Sequence, residues 1–231
     1  MKTLGIVGGI GPESTVEYYR SIIASYREQK RDGSYPSILI NSIDLTRMLG
    51  LIGENRLAEV TEYLVHEVQR LAQAGADFGI LAANTPHIVF DEIGRQSPIP
   101  LISIVKVTCE EAQSRALKKV CIFGTRFTMQ QSFYSDVFSK AGIALVGPEP
   151  DEQDYIHATY MNELVNGIFL PETRQRLLRM VDRIREQQGI DGLILGGTEL
   201  PLILKQAEYN GIPFLDTTRI HVKHVVAELL S

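Results

Sequence analysis

Short apolar runs alternate with longer amphipathic stretches along the whole chain. Residues 3–7, 37–43, 98–104, 120–123, 144–146, 192–195 and 214–215, together with the run inside 77–87, have strand length. They carry apolar residues on both faces, as strands buried between two layers do. Between them, apolar residues return at helical spacing. Val16, Tyr19, Ile22, Ile23 and Tyr26 predict a helix over 12–29, and similar patterns predict helices over 56–74, 105–117, 129–141, 153–169, 171–188 and 202–208. A closing helix over 218–230 carries Ile220, Val222, Val225, Val226, Leu229 and Leu230. Strands alternating with helices imply mainly parallel sheets covered on both sides. Such sheets bind ligands outside the carboxyl ends of their strands.

One strand end is the focus of the chain. Residues 77–87 read DFGILAANTPH: an apolar run, two small residues, Asn84 and Thr85, then Pro86. Proline disfavours helical geometry at Thr85 and suits a first helical position, so a strand is expected to end here and a helix to begin. Unpartnered N–H groups at such a junction can hold a carboxylate. The pattern returns as DGLILGGTEL over 191–200, with Pro201 next. The segments before these match as well: LGIVGGIGPESTVEYY opens at Leu4 and VCIFGTRFTMQQSFY opens at Val120. Two ordered correspondences imply an internal duplication and two related α/β domains.

Composition narrows the chemistry. A net charge of −5 and a pI near 5.6 provide no broad cationic field for nucleic acid. No apolar run is long enough to span a membrane, and the strand expected directly after Lys2 leaves no room for a signal sequence, so a cytoplasmic setting is expected. Cys109 and Cys121 read as small buried hydrophobes rather than a disulfide framework. GGIGPES lacks both the GxGxxG spacing and a Lys-Ser/Thr pair, so Gly8 and Gly9 fit close backbone approach to a small ligand better than a nucleotide site. His157, His221 and His224 have neither Cys partners nor an HExxH arrangement, and no metal site is expected.

The motifs GIVGGIGPEST, NTPH at 84–87, GGTEL at 196–200 and FLDTTRIH near the end resemble the aspartate/glutamate racemase family over essentially the whole chain. The resemblance implies two pseudosymmetric α/β domains with a ligand cleft between them, and a last helix that returns to the first domain: 1–103 plus 211–231, and 104–210. It also implies a homodimer and an isomerase-type reaction on a small amino-acid-like carboxylate, without pyridoxal phosphate or any other cofactor. In active members one cysteine precedes the Asn-Thr and another the Thr-Glu, and the pair flanks the α-carbon as thiolate and thiol. Here Ala83 and Gly197 occupy those positions. A methyl group and a hydrogen atom carry no proton, so the thiol two-base mechanism is excluded. His87 and Glu199 are the titratable residues nearest the two gaps, although His87 can equally bond a strand-end carbonyl and Glu199 can cap its helix. Asn84, Thr85, Thr125, Thr128 and Thr198, with Gly8 and Gly9, match the carboxylate cradle, and Arg47 is placed to read a distal acid. Asp216 and His221 fit a structural tie for the last helix better than a chemical role. A family member that binds a small carboxylate without turning it over is the alternative reading.

Overall fold

The computed structural model describes residues 2–231, which divide into two compact units. The first runs up to Ile104 and takes in His221–Ser231, and the second is Val105–Ile220.

In the first unit a four-stranded parallel sheet has the order β2-β1-β3-β4: β1 is Thr3–Gly8, β2 Ser37–Ser42, β3 Phe78–Leu81 and β4 Leu101–Ile102. Its helices are α1 (Pro12–Lys30), α2 (Leu45–Gly53), α3 (Leu57–Gln73) and α4 (Phe90–Gln96). One sheet face is sealed where Leu4, Ile6, Phe78 and Ile80 meet Tyr18, Ile22 and Tyr26 of α1 and Val222, Val225 and Val226 of the closing helix. Val16 and Tyr19, expected on the apolar face of α1, are exposed instead. The stripe actually buried follows an i, i+4, i+8 row from Tyr18.

The second unit repeats the strand order and adds one strand. Its sheet runs β6-β5-β7-β9-β8, with β5 Lys119–Gly124, β6 Ala144–Val146, β7 Gly192–Gly196, β8 Glu208–Tyr209 and β9 Ile212–Asp216. All pairs are parallel except β8 with β9. Around the sheet lie α5 (Ile104–Ser114, whose first residue belongs to the first unit), α6 (Arg126–Gln130), α7 (Phe133–Lys140), α8 (Pro150–Asn162), α9 (Pro171–Gln188) and α10 (Leu200–Ile203). The helix α11 (Thr217–Leu230) starts in this unit and ends in the first. Phe123, Leu193 and Leu195 pack with Ile156 and Tyr160 of α8 and with Leu177, Val181 and Ile184 of α9.

The duplication extends to single hydrogen bonds. Asp77, at the head of the first motif, accepts the Thr3 backbone N–H at 2.7 Å. Asp191, at the head of the second, accepts those of Lys118 and Lys119 at 2.7 and 2.9 Å. Each aspartate therefore fixes where the neighbouring first strand begins.

Several sequence-based expectations need correction. The helix expected over 202–208 is the short α10 followed by β8, because Asn210 (φ 49°) and Gly211 (φ 78°) form a two-residue turn that pairs Tyr209 with Ile212. Asn-Gly is the residue pair such hairpins demand, and that signal is present in the sequence. The helix expected over 129–141 is broken at Gln131, which is extended (ψ 153°), and restarts after Ser132. α2 was not expected; the Asp44 carboxylate starts it by accepting from the N–H groups of Thr46 and Arg47. The second crossing between units lies at Ile220–His221, later than the 210–211 boundary expected, because β9 is hydrogen-bonded to β7 and so belongs to the second unit.

Candidate functional site: the carboxyl ends of two repeated strands

In the first unit, β1 ends in the Gly8-Gly9 turn. A Cβ on Gly8 would lie 2.5 Å from Thr15 Cγ2, and one on Gly9 (φ 77°) 2.5 Å from the Ile43 carbonyl oxygen. The Gly9 N–H donates to Thr15 Oγ1 at 2.9 Å, and the Gly8 carbonyl accepts from the Ile43 N–H at 2.9 Å. Both glycines thus have an internal reason to be glycine: helix α1 and the end of β2 crowd against them.

At the end of β3, the Ser14 hydroxyl donates to the Ala82 carbonyl at 2.7 Å. Asn84 is buried, Ala83 and Thr85 are half-buried, and Thr85 opens a 3-10 turn, Thr85–Val89, that runs into α4. Thr85 lies inside that turn rather than before it, so Pro86 stands at the second position, where a missing N–H still costs nothing. His87 is buried and stacked at 4.8 Å on Phe90. The Ile104 N–H donates to its Nε2 at 3.3 Å, so Nδ1 carries the proton and donates to the Ala83 carbonyl at 3.0 Å. Both ring nitrogens are therefore used to hold the strand end.

Arg47 lies on α2 with its guanidinium 4.3 Å from the centre of the Tyr63 ring. It lines an open cavity of about 720 Å³ together with Asn41, Ser42, Asp44, Tyr63 and Glu67. The Ser42 hydroxyl in that lining is also what crowds Gly9, which places Arg47 at the same end of the sheet as the glycine turn.

In the second unit, Thr125 caps α6 by accepting from the Thr128 N–H, and the two threonine hydroxyls are 3.2 Å apart. Thr128 is buried with its methyl group against the Gly124 and Gly196 backbones, where added Cβ atoms would come within 3.1 and 2.8 Å of it. At the end of β7, Gly197 is buried, and Thr198 and Glu199 are half-buried. A Cβ on Gly197 would lie 2.6 Å from both Cε2 and Oη of Tyr160. The Tyr160 hydroxyl donates a short hydrogen bond to Glu199 Oε2, and the Thr198 hydroxyl donates to the same oxygen at 2.7 Å. Burial, and then the negative Glu199 beside it, push the Tyr160 hydroxyl well above the ordinary phenol range, so it remains a hydrogen-bond donor. Glu199 occupies the N-cap position of α10 but makes no capping bond with its side chain. Tyr160, on α8, is the residue that sequence reasoning missed. Its apolar ring reads as core, and no local signal links it to a glycine on another element.

Asp216 accepts from the Arg219 N–H at 3.0 Å, at the start of α11. His221 is fully buried in the first unit, with Nε2 3.0 Å from the Ile102 carbonyl and Nδ1 2.9 Å from Tyr18 Oη. His157 lies beside Arg126, whose N–H donates to its Nδ1 at 3.3 Å. Among the described residues no group of three or more His, Cys, Asp and Glu side chains is arranged to hold a metal ion, and no helix is long and apolar enough to cross a membrane. Cys109 and Cys121 are both free and buried.

Two parallel-dominated α/β sheets of like strand order, with the repeated motifs at their carboxyl ends, define a protein of the two-domain racemase fold. The Asp/Glu/hydantoin racemase family model matches residues 7–225, and the chain belongs to that family. It is 25% identical to the broad specificity amino-acid racemase RacX of Bacillus subtilis (strain 168), over 99% of this chain and 98% of that one. The crystal structure of PH1733, an aspartate racemase homologue from Pyrococcus horikoshii OT3, superposes with a TM-score of 0.89 at 32% identity over all of both chains. Picrophilus torridus aspartate racemase shares the fold at a TM-score of 0.79 and 21% identity, covering 99% of this chain and 94% of its own.

Proposed function

We propose that the chain removes and returns the α-proton of a small amino acid, with a carboxylate rather than a thiol as the base. The observation that carries this reading is the placement of Glu199: its carboxylate follows the residue-197 position at the end of β7 and is held on one oxygen by two hydroxyls. Family membership and the likeness to an amino-acid racemase supply the reaction class. Asn84 and Thr85 on one motif and Thr125, Thr128 and Thr198 on the other are the candidates for holding the substrate carboxylate. Arg47 is the candidate for a side-chain acid. The glycine turn shapes the floor of the first strand end. The reading includes a cofactor-independent reaction in a cytoplasmic homodimer, as the resemblance to racemases implies.

The chemistry asks for a base near the α-carbon and for hydrogen bonds to the substrate carboxylate that strengthen as charge flows into it. Glu199 meets the first need and the hydroxyls of Thr85, Thr125 and Thr128 the second, the Thr198 hydroxyl being spent on Glu199. The test is α-hydrogen exchange in D2O over a panel of amino acids, acidic ones included. Incorporation that is lost in Glu199→Gln supports the reading. Saturable binding of an amino acid with no incorporation for any member of the panel overturns it in favour of a carboxylate-binding protein.

A further inference from the structure

Four strands stand at the edges of the two sheets, and three of them are short: β4 and β8 have two residues each and β6 has three. The fourth, β2, pairs with β1 over six residues without a bulge, and its sequence, SILINS, contains no charge and no proline. Short length, charge, proline and bulges are the devices that keep an open edge from pairing. β2 has none of them. The Ile43 N–H donates back to Gly8 of β1, so alternation turns the N–H and C=O groups of Ile38, Ile40 and Ser42 the other way, where no further strand stands. Helix α1 is unfinished in the same direction. Its Ser14 bonds the Ala82 carbonyl just past β3, so the opposite flank, with Val16 and Tyr19, leans toward β2. Arg27 on that flank lies 4.9 Å over the ring of Tyr35, just before β2. Val16, Tyr19, Tyr35 and Ile40 are 40, 44, 56 and 44% exposed, an apolar border along an unpaired edge. We propose that a second copy of the chain docks on this border, β2 against β2 in antiparallel about a two-fold axis at Ile40, joining the sheets of the two first units into one.

The edge suits its own copy because a two-fold contact must be self-complementary. Pairing about Ile40 sets that residue against itself, and Ile38 of one copy against Ser42 of the other, so all three outward-facing residues find partners. An axis at Leu39 would set Ser42 against Pro36, which has no N–H to give. Ile38 packs against the core beneath Tyr18, Ile22 and Tyr26, and Ile40, two residues on, projects from the same face. The two copies of Ile40 therefore meet on the face that α1 covers, bordered by Val16 and Tyr19 from each side. With no charge on the strand, none is buried unpaired when like meets like. The inference rests on the homodimer included in the proposed function and assigns the surface that forms it.

The experiment is sedimentation velocity over a dilution series, for the full chain and for Ile40→Lys, Tyr19→Glu, Ile40→Cys and Val165→Lys. The unaltered chain is expected to be a dimer. I40K places two like charges opposite each other across the axis and should raise the dimer Kd roughly a hundredfold. Y19E, at an exposed position, should weaken the dimer less and serves if I40K fails to fold. Residue 165 lies in another exposed apolar stretch, in the second unit, and V165K should leave the dimer unchanged. Mild oxidation should link I40C into a covalent dimer, because residues opposed in a hydrogen-bonded pair have Cα atoms about 5.5 Å apart, within disulfide reach. Cys109 and Cys121 are buried and should give the parent no such link. A dimer that survives I40K and Y19E, with no link in I40C, overturns the β2 surface and leaves the homodimer standing. An unaltered chain that stays monomeric throughout the series overturns both. α-Hydrogen exchange read on the same samples reports the proposed chemistry separately, and its absence beside a dimer broken by I40K overturns that chemistry while supporting the interface.

Discussion

Tyr160 fills the space that any side chain on Gly197 would need: a Cβ there would sit 2.6 Å from both Cε2 and Oη of the tyrosine. The conflict is with the tip of a side chain, but that tip is buried and bonded to Glu199, so moving it breaks the arrangement that holds the carboxylate. Position 197, which the resemblance in sequence matches to a thiol, is one where a phenol takes the space of any side chain.

Gly197→Cys is therefore expected to destabilise the chain by about 1–3 kcal/mol, the usual cost of overpacking a filled site. Adding Tyr160→Ala should make room for the thiol. Placing cysteines at positions 83 and 197 is expected to yield thiol-dependent racemisation only when Tyr160 is also made small. Urea unfolding of the single and double variants checks the stability half, and racemisation by the triple variant checks the rest. A G197C protein as stable as the parent would show that Tyr160 yields its place without cost.

His221 makes stability fall in mild acid. Burial pushes its imidazole down from 6.5 to about 4, with the Ile102 carbonyl opposing the shift only in part. Between those values the unfolded chain takes up a proton that the folded chain refuses, so unfolding free energy declines as pH drops from 6.5 to 4. The contribution is about 3 kcal/mol over that window and is fully present above it. Unfolding midpoints measured at several pH values check this. His221→Leu should be less stable at neutral pH, because Tyr18 Oη and the Ile102 carbonyl lose their partner, and its stability should vary less with pH.

The paired aspartates make an additive prediction. Asp77→Ala removes one strand-end hydrogen bond and Asp191→Ala removes two, with expected costs of about 1 and about 2 kcal/mol. They share no partner, so the double variant should lose the sum. A double-mutant cycle in denaturant tests it, and a coupling above about 0.5 kcal/mol would show that the two strand starts are not independent.

Thiol reagents should leave any α-hydrogen exchange untouched. Cys121 is fully buried in β5 and burial holds its thiol well above the ordinary range, while the Cys109 thiol is raised by burial and by Glu110. Mass spectrometry after treatment with iodoacetamide should find little modification in the native chain and both cysteines modified in denaturant. Loss of exchange on native alkylation would place a thiol in the chemistry after all.

Local patterns were legible in the sequence because local physics sets them. Alternating apolar runs and helical stripes gave the parallel α/β class, and the two copies of strand, small residues, Thr and proline located the strand ends that β3 and β7 indeed supply. Asn210-Gly211 was readable as a hairpin turn too, but the apolar residues around it imitated a helix. What could not be read was what each strand end does with its neighbours. Whether His87 faces a ligand or spends both nitrogens on Ala83 and Ile104 depends on where the start of α5 lies. Whether residue 197 has room for a side chain depends on a tyrosine that only the packing of α8 on the second sheet brings there. Spacing along a chain fixes which residues share a face, because backbone geometry repeats. Which atoms then meet across two packed elements is decided by the shapes that fill the core between them.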